Sequence, residues 1–136
     1  MIVRSVQDLI GTDRDVETRN WVSRRLLLKQ DGMGFSLHET TVFPGTETYI
    51  WYKHHLEAVF CVEGEGEIQT AADGVVYKIE PGVMYALNLH DKHYLRAKTK
   101  MRLVCIFNPP LTGREVHDEE GTYPLIVEPV PEQSAA

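Results

Sequence analysis

The chain has 136 residues, a length that favours a single domain burying about two-thirds of its unfolded surface. Charged residues make up 25% and hydrophobic residues 43%, fractions that argue against a disordered chain, and apolar runs as short as AVFCV cannot span a bilayer. The formal net charge of −6, without a cluster of Lys and Arg, argues against a nucleic-acid partner, because binding to phosphates depends on clustered positive charge.

The N-terminal segment MIVRSVQDLIGTDRD carries charges where a secretion signal needs an apolar stretch, so we expect a cytoplasmic location. Within it, Ser5 and Asp8 have the spacing of a capping box, in which each side chain accepts a hydrogen bond from the other residue's backbone. This pattern predicts a short helix over about Val6 to Ile10, ended by Gly11.

From Trp21 onward, short β runs alternate with turn residues about every eight to twelve positions, the spacing of a sandwich or barrel. Asp31-Gly32 and Asp73-Gly74 each separate two of these runs and predict tight hairpins, because Asp-Gly favours two-residue turns with positive φ at both residues. The predicted strands are WVSRRLLL, FSLHETTVF, YIWYK, EAVFCV, EGEIQTA, VVYKI, GVMYAL, HYLRA and MRLVCIF.

After Phe107 the strand pattern ends. The segment NPPLTGREVHDEEGTYP, with a proline pair and many polar residues, is typical of a long loop, and long loops in compact domains are often functional. The last residues, EPVPEQSAA, combine two prolines with small polar groups. We therefore assign residues 1–128 to one domain and residues 129–136 to a flexible C-terminal tail.

Several residues with reactive side chains are assigned no functional role. Cys61 and Cys105 lie in apolar runs without a repeated spacing, so they predict neither a disulfide framework nor a thiolate zinc site, but small buried side chains. His38 and His90 are interpreted as turn or surface residues.

The segment YKHHLEAVFCVEGEGE places two histidines and a carboxylate at the start of a predicted strand. Successive side chains of a strand point to opposite faces, so His54 and His55 cannot both face one pocket. His55, Glu57 and Val59 share one face. We expect His54 to face away from it.

The residues from Gly45 to Gly64 have the spacing of the first cupin motif, G-x5-H-x-H-x3-E-x6-G, which Glu57 completes. Trp51 and Lys53 stand where that motif has two metal-binding histidines. PGVMY resembles the second cupin motif, with Tyr85 in place of its histidine. The predicted fold is therefore all-β, a single jelly-roll-like cupin barrel (double-stranded β-helix) with a short N-terminal helix, without the usual three-histidine metal site.

Three other side chains could form a different site. A turn centred on Leu89 would place Tyr85 opposite His93 on one face, within about 5 Å at Cβ, where both could meet Glu57. A carboxylate, a phenolate and one imidazole suit a hard or borderline ion such as iron(II), manganese(II) or zinc(II). A metal-free hydrogen-bonded cluster of the same three side chains fits the spacing equally well.

The sequence also resembles a known family. The segments MIVR, MGFS, TYIWYKHHLEAVFCVEGEGE, GVMYAL, HYLRAKTKMRL and FNPPLTGREVHDEEGTYPL are similar to those of ectoine synthases over roughly Met1 to Leu125. FNPPLTGREVHDE is the most specific of them. The resemblance implies a hydro-lyase that converts N-γ-acetyl-L-2,4-diaminobutyrate to ectoine, a compatible solute of osmotic stress, by intramolecular condensation with loss of water. It also implies iron(II) as a Lewis acid, held by Glu57, Tyr85 and His93.

The resemblance further implies a substrate-binding set. A guanidinium such as that of Arg25 can grip a carboxylate with two hydrogen bonds. Aromatic walls would hold the substrate folded and exclude water, which matters because water opposes a dehydration. The set is Trp21, Arg25, Thr40, Tyr52 and Phe107.

Three side chains of the implied pocket are candidates for proton transfer. The attacking amine is protonated at neutral pH, so ring closure needs a base. Glu115 and His117 would share a face if REVHD is extended, and His55 lies beside Glu57 in the sequence. The sequence does not rank the three.

The expected partners are the small-molecule substrate and a second copy of the chain, because small cupins often cover edge strands with a partner. No nucleic-acid or membrane partner is expected. Two other functions remain open: a non-catalytic cupin that binds a small polar ligand, and an iron-dependent cupin oxygenase. A binder needs no proton-transfer groups beside the metal, and an oxygenase would consume O₂.

Overall fold

The computed structural model of the chain describes residues 1–113, 115, 117 and 122. The predicted domain boundary at residue 128 and the predicted flexible tail at 129–136 lie outside these residues. Within them the chain forms one short α-helix, one 3₁₀ helix and ten β-strands. The all-β prediction with a short N-terminal helix is confirmed.

Helix α1 spans Val6–Leu9 and has the predicted capping box. The Ser5 hydroxyl accepts a hydrogen bond from the Asp8 backbone N–H, and the Asp8 carboxylate accepts one from the Ser5 N–H. Leu9 is buried and anchors the helix against the domain. Four residues cannot cross a membrane, and no helix within the described ranges is long and apolar enough to do so.

The strands follow the predicted β runs, except that the fourth covers Glu47–Ile50 where YIWYK, residues 49–53, was predicted. The 3₁₀ helix, Lys29–Asp31, lies between the second and the third strand. The first strand was not predicted, because its residues DVE are mostly acidic and lack the apolar alternation of the others. The ten strands are β1 Asp15–Glu17, β2 Trp21–Leu27, β3 Ser36–Val42, β4 Glu47–Ile50, β5 Leu56–Glu63, β6 Gly66–Thr70, β7 Val76–Ile79, β8 Met84–Ala86, β9 His93–Ala97 and β10 Met101–Asn108.

Two antiparallel sheets enclose the core. The larger has the strand order β1-β2-β3-β10-β5-β8, and the smaller has the order β4-β9-β6-β7. Buried side chains from both, such as Val42 and Leu103 of the larger sheet and Ile68 and Leu95 of the smaller, form one hydrophobic cluster. The inner faces of both sheets therefore share one interior.

Strand β10 shows how sequence alternation builds this interior. Met101, Leu103, Cys105 and Phe107 are buried, while the residues between them are more exposed. Period-two alternation of this kind places one apolar row against the core. The prediction that the cysteines are small buried side chains is confirmed, since both are free and buried.

The two Asp-Gly pairs lie between antiparallel strands, but not in the predicted two-residue turns. Asp31 ends the 3₁₀ helix and Gly32 follows with φ 75°, while Gly74 has φ 70°. Neither aspartate has a positive φ. The Asp73 carboxylate instead accepts hydrogen bonds from the Thr70 hydroxyl and the Val75 N–H. The strand pairings were correct and the turn type was wrong, because these carboxylates cap longer turns.

Asp31 ties the N-terminal segment to the larger sheet. Its carboxylate lies 2.9 Å from Arg4 Nη2 and 3.0 Å from Arg14 Nη1, and it accepts a hydrogen bond from the Leu28 N–H. Burial alone would raise its pKa, but these hydrogen bonds and the Arg14 charge outweigh burial and lower the pKa to about 2. The charged form of Asp31 therefore stabilises the fold.

Asp31→Asn is expected to reduce the free energy of unfolding by about 1–2 kcal/mol near neutral pH, a value discounted because both arginines are partly exposed to solvent. A lowered pKa stabilises above the unfolded-state value, and the contribution disappears as the pH falls through the folded-state value. Urea unfolding of both proteins at pH 7 and at about pH 2 measures the difference, which should shrink to a small fraction in acid. An equal loss from Asp13→Asn, at an exposed aspartate, would contradict this explanation.

Candidate active site

A buried cavity lies between the two sheets and offers about 40 Å³ to water-sized molecules. Because one water needs roughly 10–15 Å³ on this measure, the cavity accommodates a few. Its walls include seven residues singled out from the sequence: Trp21, Thr40, Tyr52, Glu57, Tyr85, Phe107 and His117. The structure thus brings together residues from five strands and two loops.

The remaining wall residues were not singled out from the sequence. Ser23 and Cys105 add polar atoms, and the rest are aliphatic: Val42, Ile50, Val59, Leu95 and Leu103. A period-two pattern identifies Ser23 and Cys105, because each lies two positions from a predicted wall residue, Trp21 and Phe107 respectively. The Cys105 thiol is hydrogen-bonded to the Glu57 carboxyl.

Glu57 and Tyr85 contribute the acidic groups of the cavity. Burial raises the pKa of Glu57 to about 8, against a smaller opposing effect of the Cys105 hydrogen bond. Burial and the neighbouring Glu57 raise the pKa of Tyr85 well above its usual range. A nearby cation would reverse both shifts by favouring the charged forms.

His93 is fully buried at the start of β9. Its Nδ1 lies 2.9 Å from the Asp91 carbonyl oxygen, which can only accept, so Nδ1 carries the proton and donates. Nε2 is then a bare lone pair, and it has no hydrogen-bond partner among the residues that the structure describes. Burial lowers the pKa of the ring, which favours this neutral form. A backbone hydrogen bond at one nitrogen and a free lone pair at the other is the usual state of a metal-binding histidine.

Tyr85 lies beside Glu57 on the cavity wall and faces His93, which does not line the cavity, by a different route from the one predicted. Tyr85 and His93 are not cross-strand neighbours, because β8 pairs with β5 and β9 pairs with β4 and β6. The loop between β8 and β9 crosses from one sheet to the other. The two rings still face each other, with centroids 6.4 Å apart.

The three side chains fit a metal ion by their chemistry. They offer a buried carboxyl, a half-buried phenol and a buried, unpartnered imidazole nitrogen. In the described residues, no group of three His, Cys, Asp or Glu side chains lies close enough together to hold a metal ion. A site here depends on Tyr85.

Tyr52 and His117 form a hydrogen-bonded pair on the cavity wall. The Tyr52 hydroxyl lies 2.8 Å from His117 Nε2. Trp21 packs against the His117 ring with centroids 5.3 Å apart, and Phe107 meets the Tyr52 ring edge-on at 5.1 Å. The pair is therefore enclosed by aromatic rings.

Arg25, His55 and Glu115 are buried but do not line the cavity. The Glu115 carboxylate accepts hydrogen bonds from the Thr112 N–H, the Thr112 hydroxyl and the Gly113 N–H. Its carbonyl oxygen accepts a hydrogen bond from Arg25 Nη2 at 2.9 Å. Burial lowers the pKa of His55, and the Glu115 charge opposes that shift. This arrangement anchors the loop after β10, and the predicted roles of the three residues stay predictions.

The histidines assigned to the surface divide into two outcomes. His54 and His90 are exposed, as predicted. The prediction for His38 was wrong, since it is 1% exposed and its ring nitrogens contact the hydroxyls of Ser36 and Ser23. Because two serine hydroxyls contact both ring nitrogens, the ring can be buried in its neutral form.

Three comparisons place the chain among known proteins. It matches the family model described as ectoine synthase over residues 1–127. It is 62% identical over 128 residues to the L-ectoine synthase of Desulfatibacillum aliphaticivorans, covering 93% of this chain and 98% of that protein. The crystal structure of ectoine synthase from P. lautus superposes with a TM-score of 0.84 at 60% identity, covering 97% of this chain and 94% of that one.

A more distant structure supports the fold alone. An RmlC-like cupin from Shewanella frigidimarina superposes with a TM-score of 0.57 at 17% identity, covering 71% of this chain and 94% of that one. Together with the two antiparallel sheets, it confirms the predicted cupin barrel.

Proposed function

The chain belongs to the ectoine synthase family and is an enzyme, and we propose that it closes N-γ-acetyl-L-2,4-diaminobutyrate into ectoine with loss of water. The family match along residues 1–127 carries this proposal. Family membership does not favour the non-catalytic binder or the oxygenase. The cavity provides the groups that the reaction needs.

The reaction makes one ring bond and removes one water. The α-amine nitrogen attacks the carbon of the acetyl amide, and the carbonyl oxygen leaves as water once it has received two protons. The amine must lose its extra proton before it attacks, so a base has to act first. Bulk water must also be excluded, because it favours the reverse reaction. The aromatic rings packed around Tyr52 form a wall that excludes it.

His117 is the base that the geometry favours. Of the three candidates, Glu115, His117 and His55, only His117 lines the cavity. The Tyr52 hydroxyl at 2.8 Å from its Nε2 fixes the ring and links it to a second proton-carrying group. His117 accepts the amine proton, and the pair returns a proton to the departing oxygen.

Glu57, Tyr85 and His93 are the residues that would hold iron(II). Support comes from the bare Nε2 of His93 and from the Glu57 carboxyl and Tyr85 phenol, whose raised pKa values a bound cation would lower. When bound, the ion supplies a Lewis acid that takes up negative charge on the acetyl oxygen. Since Glu57 and Tyr85 must ionise to bind it, loading releases protons.

The substrate needs more room than the cavity offers. Ligand sites usually measure roughly 300–1,000 Å³, far more than this cavity. Trp21 and His117 separate it from an outer hollow of about 280 Å³ whose other walls include Arg19. Movement of these two rings would join the spaces and admit the substrate past a guanidinium that attracts its carboxylate. The Arg25 clamp stays a prediction.

We further propose a cytoplasmic homodimer that acts in osmotic stress. The outward face of β5, β8 and β10 exposes Leu56, Phe60, Val62, Met84 and Ile106, each at least 40% accessible to solvent. Contiguous apolar surface of this kind favours a protein partner. A second copy of the chain would bury it.

The function is tested with purified protein and N-γ-acetyl-L-2,4-diaminobutyrate under argon, with and without iron(II), following ectoine by NMR. We expect product only with the metal and without oxygen consumption. Turnover that requires O₂ would reject the assignment in favour of an oxygenase. No turnover with fully loaded metal, either under argon or in air, would favour the binder.

Tyr52→Phe is expected to lower kcat by about tenfold, since it removes one hydrogen bond worth about 1.4 kcal/mol from the proposed base. Bound iron should be unchanged, because Tyr52 is not a proposed metal ligand. Steady-state kinetics and metal analysis measure the two effects. Tyr49→Phe, in a tyrosine whose ring packs on Tyr94 away from the cavity, is the matched control. A native kcat in Tyr52→Phe would exclude the pair from proton transfer.

A further inference from the structure

His90 has a backbone conformation that residues with a side chain rarely adopt. Its φ is 53°, and in the described part of the chain every other positive φ belongs to a glycine. Left-handed φ values are uncommon outside glycine, although histidine and asparagine adopt them more often than most residues. Such a conformation persists only where surrounding contacts hold it. A contact of the His90 side chain should therefore hold this one.

The contact is a hydrogen bond to the backbone of Tyr52. His90 Nδ1 lies 2.8 Å from the Tyr52 carbonyl oxygen. A carbonyl oxygen can only accept, so Nδ1 carries the proton and donates. The Lys92 ammonium group also lies 4.2 Å from the centre of the Trp51 ring, a favourable cation–π distance. Two contacts thus join the loop between β8 and β9 to the loop between β4 and β5.

Strand pairing does not fix the backbone of Tyr52. β4 ends at Ile50 and β5 begins at Leu56, so Tyr52 lies in the loop between them. Its hydroxyl nevertheless has to stay 2.8 Å from His117 Nε2 in the proposed proton-transfer pair. Because the ring moves with its backbone, a support at the carbonyl group also holds the hydroxyl. The hydrogen bond from His90 provides such a support.

The loop that carries His90 is itself anchored at both ends. At its start, the Leu87 N–H donates to the Glu57 carbonyl oxygen at 2.8 Å. At its end, the Lys92 carbonyl oxygen accepts a hydrogen bond from the Ala71 N–H, also at 2.8 Å. His90 therefore donates to Tyr52 from a fixed position.

We propose that His90 is a positioning residue for the Tyr52–His117 pair: it holds the Tyr52 backbone so that the hydroxyl keeps its hydrogen bond to the proposed base. The inference rests on the proposed function, because it assumes that this pair transfers protons during ring closure. His90 is not among the residues that line the cavity, so it acts through Tyr52 and not on the substrate.

Two substitutions of the same shape separate the hydrogen bond from the loop geometry. Asparagine places an amide N–H where the imidazole has Nδ1, whereas an aspartate carboxylate can only accept, and both tolerate a positive φ. His90→Asn is therefore expected to keep kcat within about twofold of native. His90→Asp should lower kcat by about tenfold, the loss expected for Tyr52→Phe. The NMR assay of the iron-loaded proteins measures both.

His54→Asp is the control for the added charge. His54 is exposed, and after burial the charges of His54 and His90 both lower the pKa of His55. The control should have a native kcat. An equal loss in His54→Asp would assign the effect to charge near His55 and overturn the proposal. Loss of iron from both His90→Asn and His90→Asp would show a general loop effect and would also overturn it.

A double-mutant cycle tests whether His90 acts through Tyr52. In the Tyr52→Phe background the hydroxyl is absent, so His90→Asp should lower kcat by less than about a further twofold. A further tenfold loss would mean that the two residues act independently, and the positioning role would be rejected. A native kcat in His90→Asp alone would reject it as well.

The imidazole rings provide a measurement that needs no turnover. In proton–nitrogen correlation NMR spectra of the full chain before iron is added, the His117 ring signals report its hydrogen bond to Tyr52. They should shift in His90→Asp as they do in Tyr52→Phe, and stay native in His90→Asn. Unchanged His117 signals in His90→Asp would contradict the positioning role.

These experiments separate failure of the positioning role from failure of the proposed function. If the unaltered, iron-loaded chain forms no ectoine, the proposed function is wrong and the role of His90 in it is rejected too. If the chain forms ectoine while His90→Asp retains native kcat and native His117 signals, only the role of His90 is rejected.

Discussion

His93→Ala is expected to abolish bound iron(II) and ectoine formation together. The imidazole presents a buried Nε2 lone pair without a partner in the described part of the chain, and its Nδ1 hydrogen bond to Asp91 fixes the ring in that form. Removing an outer-shell partner of a metal ligand costs roughly 10–100-fold in affinity. Removal of a ligand itself should cost more. Glu57→Ala and Tyr85→Ala should have the same double effect.

Metal analysis after dialysis against iron(II), combined with the NMR assay, measures both losses. His54→Ala is the control, because His54 is an exposed histidine just before β5, the strand that carries Glu57, and should retain iron and activity. Thermal unfolding verifies that the variants are folded. A folded His93→Ala protein with a full complement of iron would place His93 in another role.

His117→Gln is expected to lower kcat by about 10²–10⁴-fold, the range that general acid–base catalysis contributes. The side chain lines the cavity and is hydrogen-bonded to Tyr52, and glutamine cannot accept the amine proton. Bound iron should be retained, which separates this loss from that of the metal ligands.

Glu115→Gln provides the comparison. Its carboxylate is saturated by hydrogen bonds from Thr112 and Gly113, so we expect its loss mainly to lower the free energy of unfolding, by about 1–3 kcal/mol. If Glu115→Gln stays as stable as the native chain and loses as much activity as His117→Gln, Glu115 is a proton-transfer group. A native kcat in His117→Gln would reject His117 as the base.

The strands were predictable because their signal is local. Alternation of apolar and polar residues correctly predicted the bounds of β9 and the buried faces of β5 and β10. The turn types at Asp31 and Asp73 were not predictable, because an aspartate that caps a longer turn looks the same in sequence as one in a two-residue turn. The side-chain hydrogen bonds decide between them.

The candidate site was predictable only in part, for a related reason. Period two correctly put Glu57 on the inner face of β5, while His54 is exposed as predicted but lies before the strand begins at Leu56. The placement of Tyr85 near His93 depends on which strands pair, and local spacing does not contain that information. His38 was missed because its two serine partners are recognisable only once β2 and β3 are aligned.

The position of β10 has a consequence for how the protein is made. It is the last strand of the described chain, yet it lies between β3 and β5 in the larger sheet. Pairings between distant segments form slowly, because a long loop must close before they contribute. A nascent chain therefore lacks the middle of this sheet, together with Leu103, Cys105 and Phe107, until the strand has left the ribosome. The cavity cannot assemble during earlier stages of translation, so the proposed metal site can be completed only after synthesis has passed this strand.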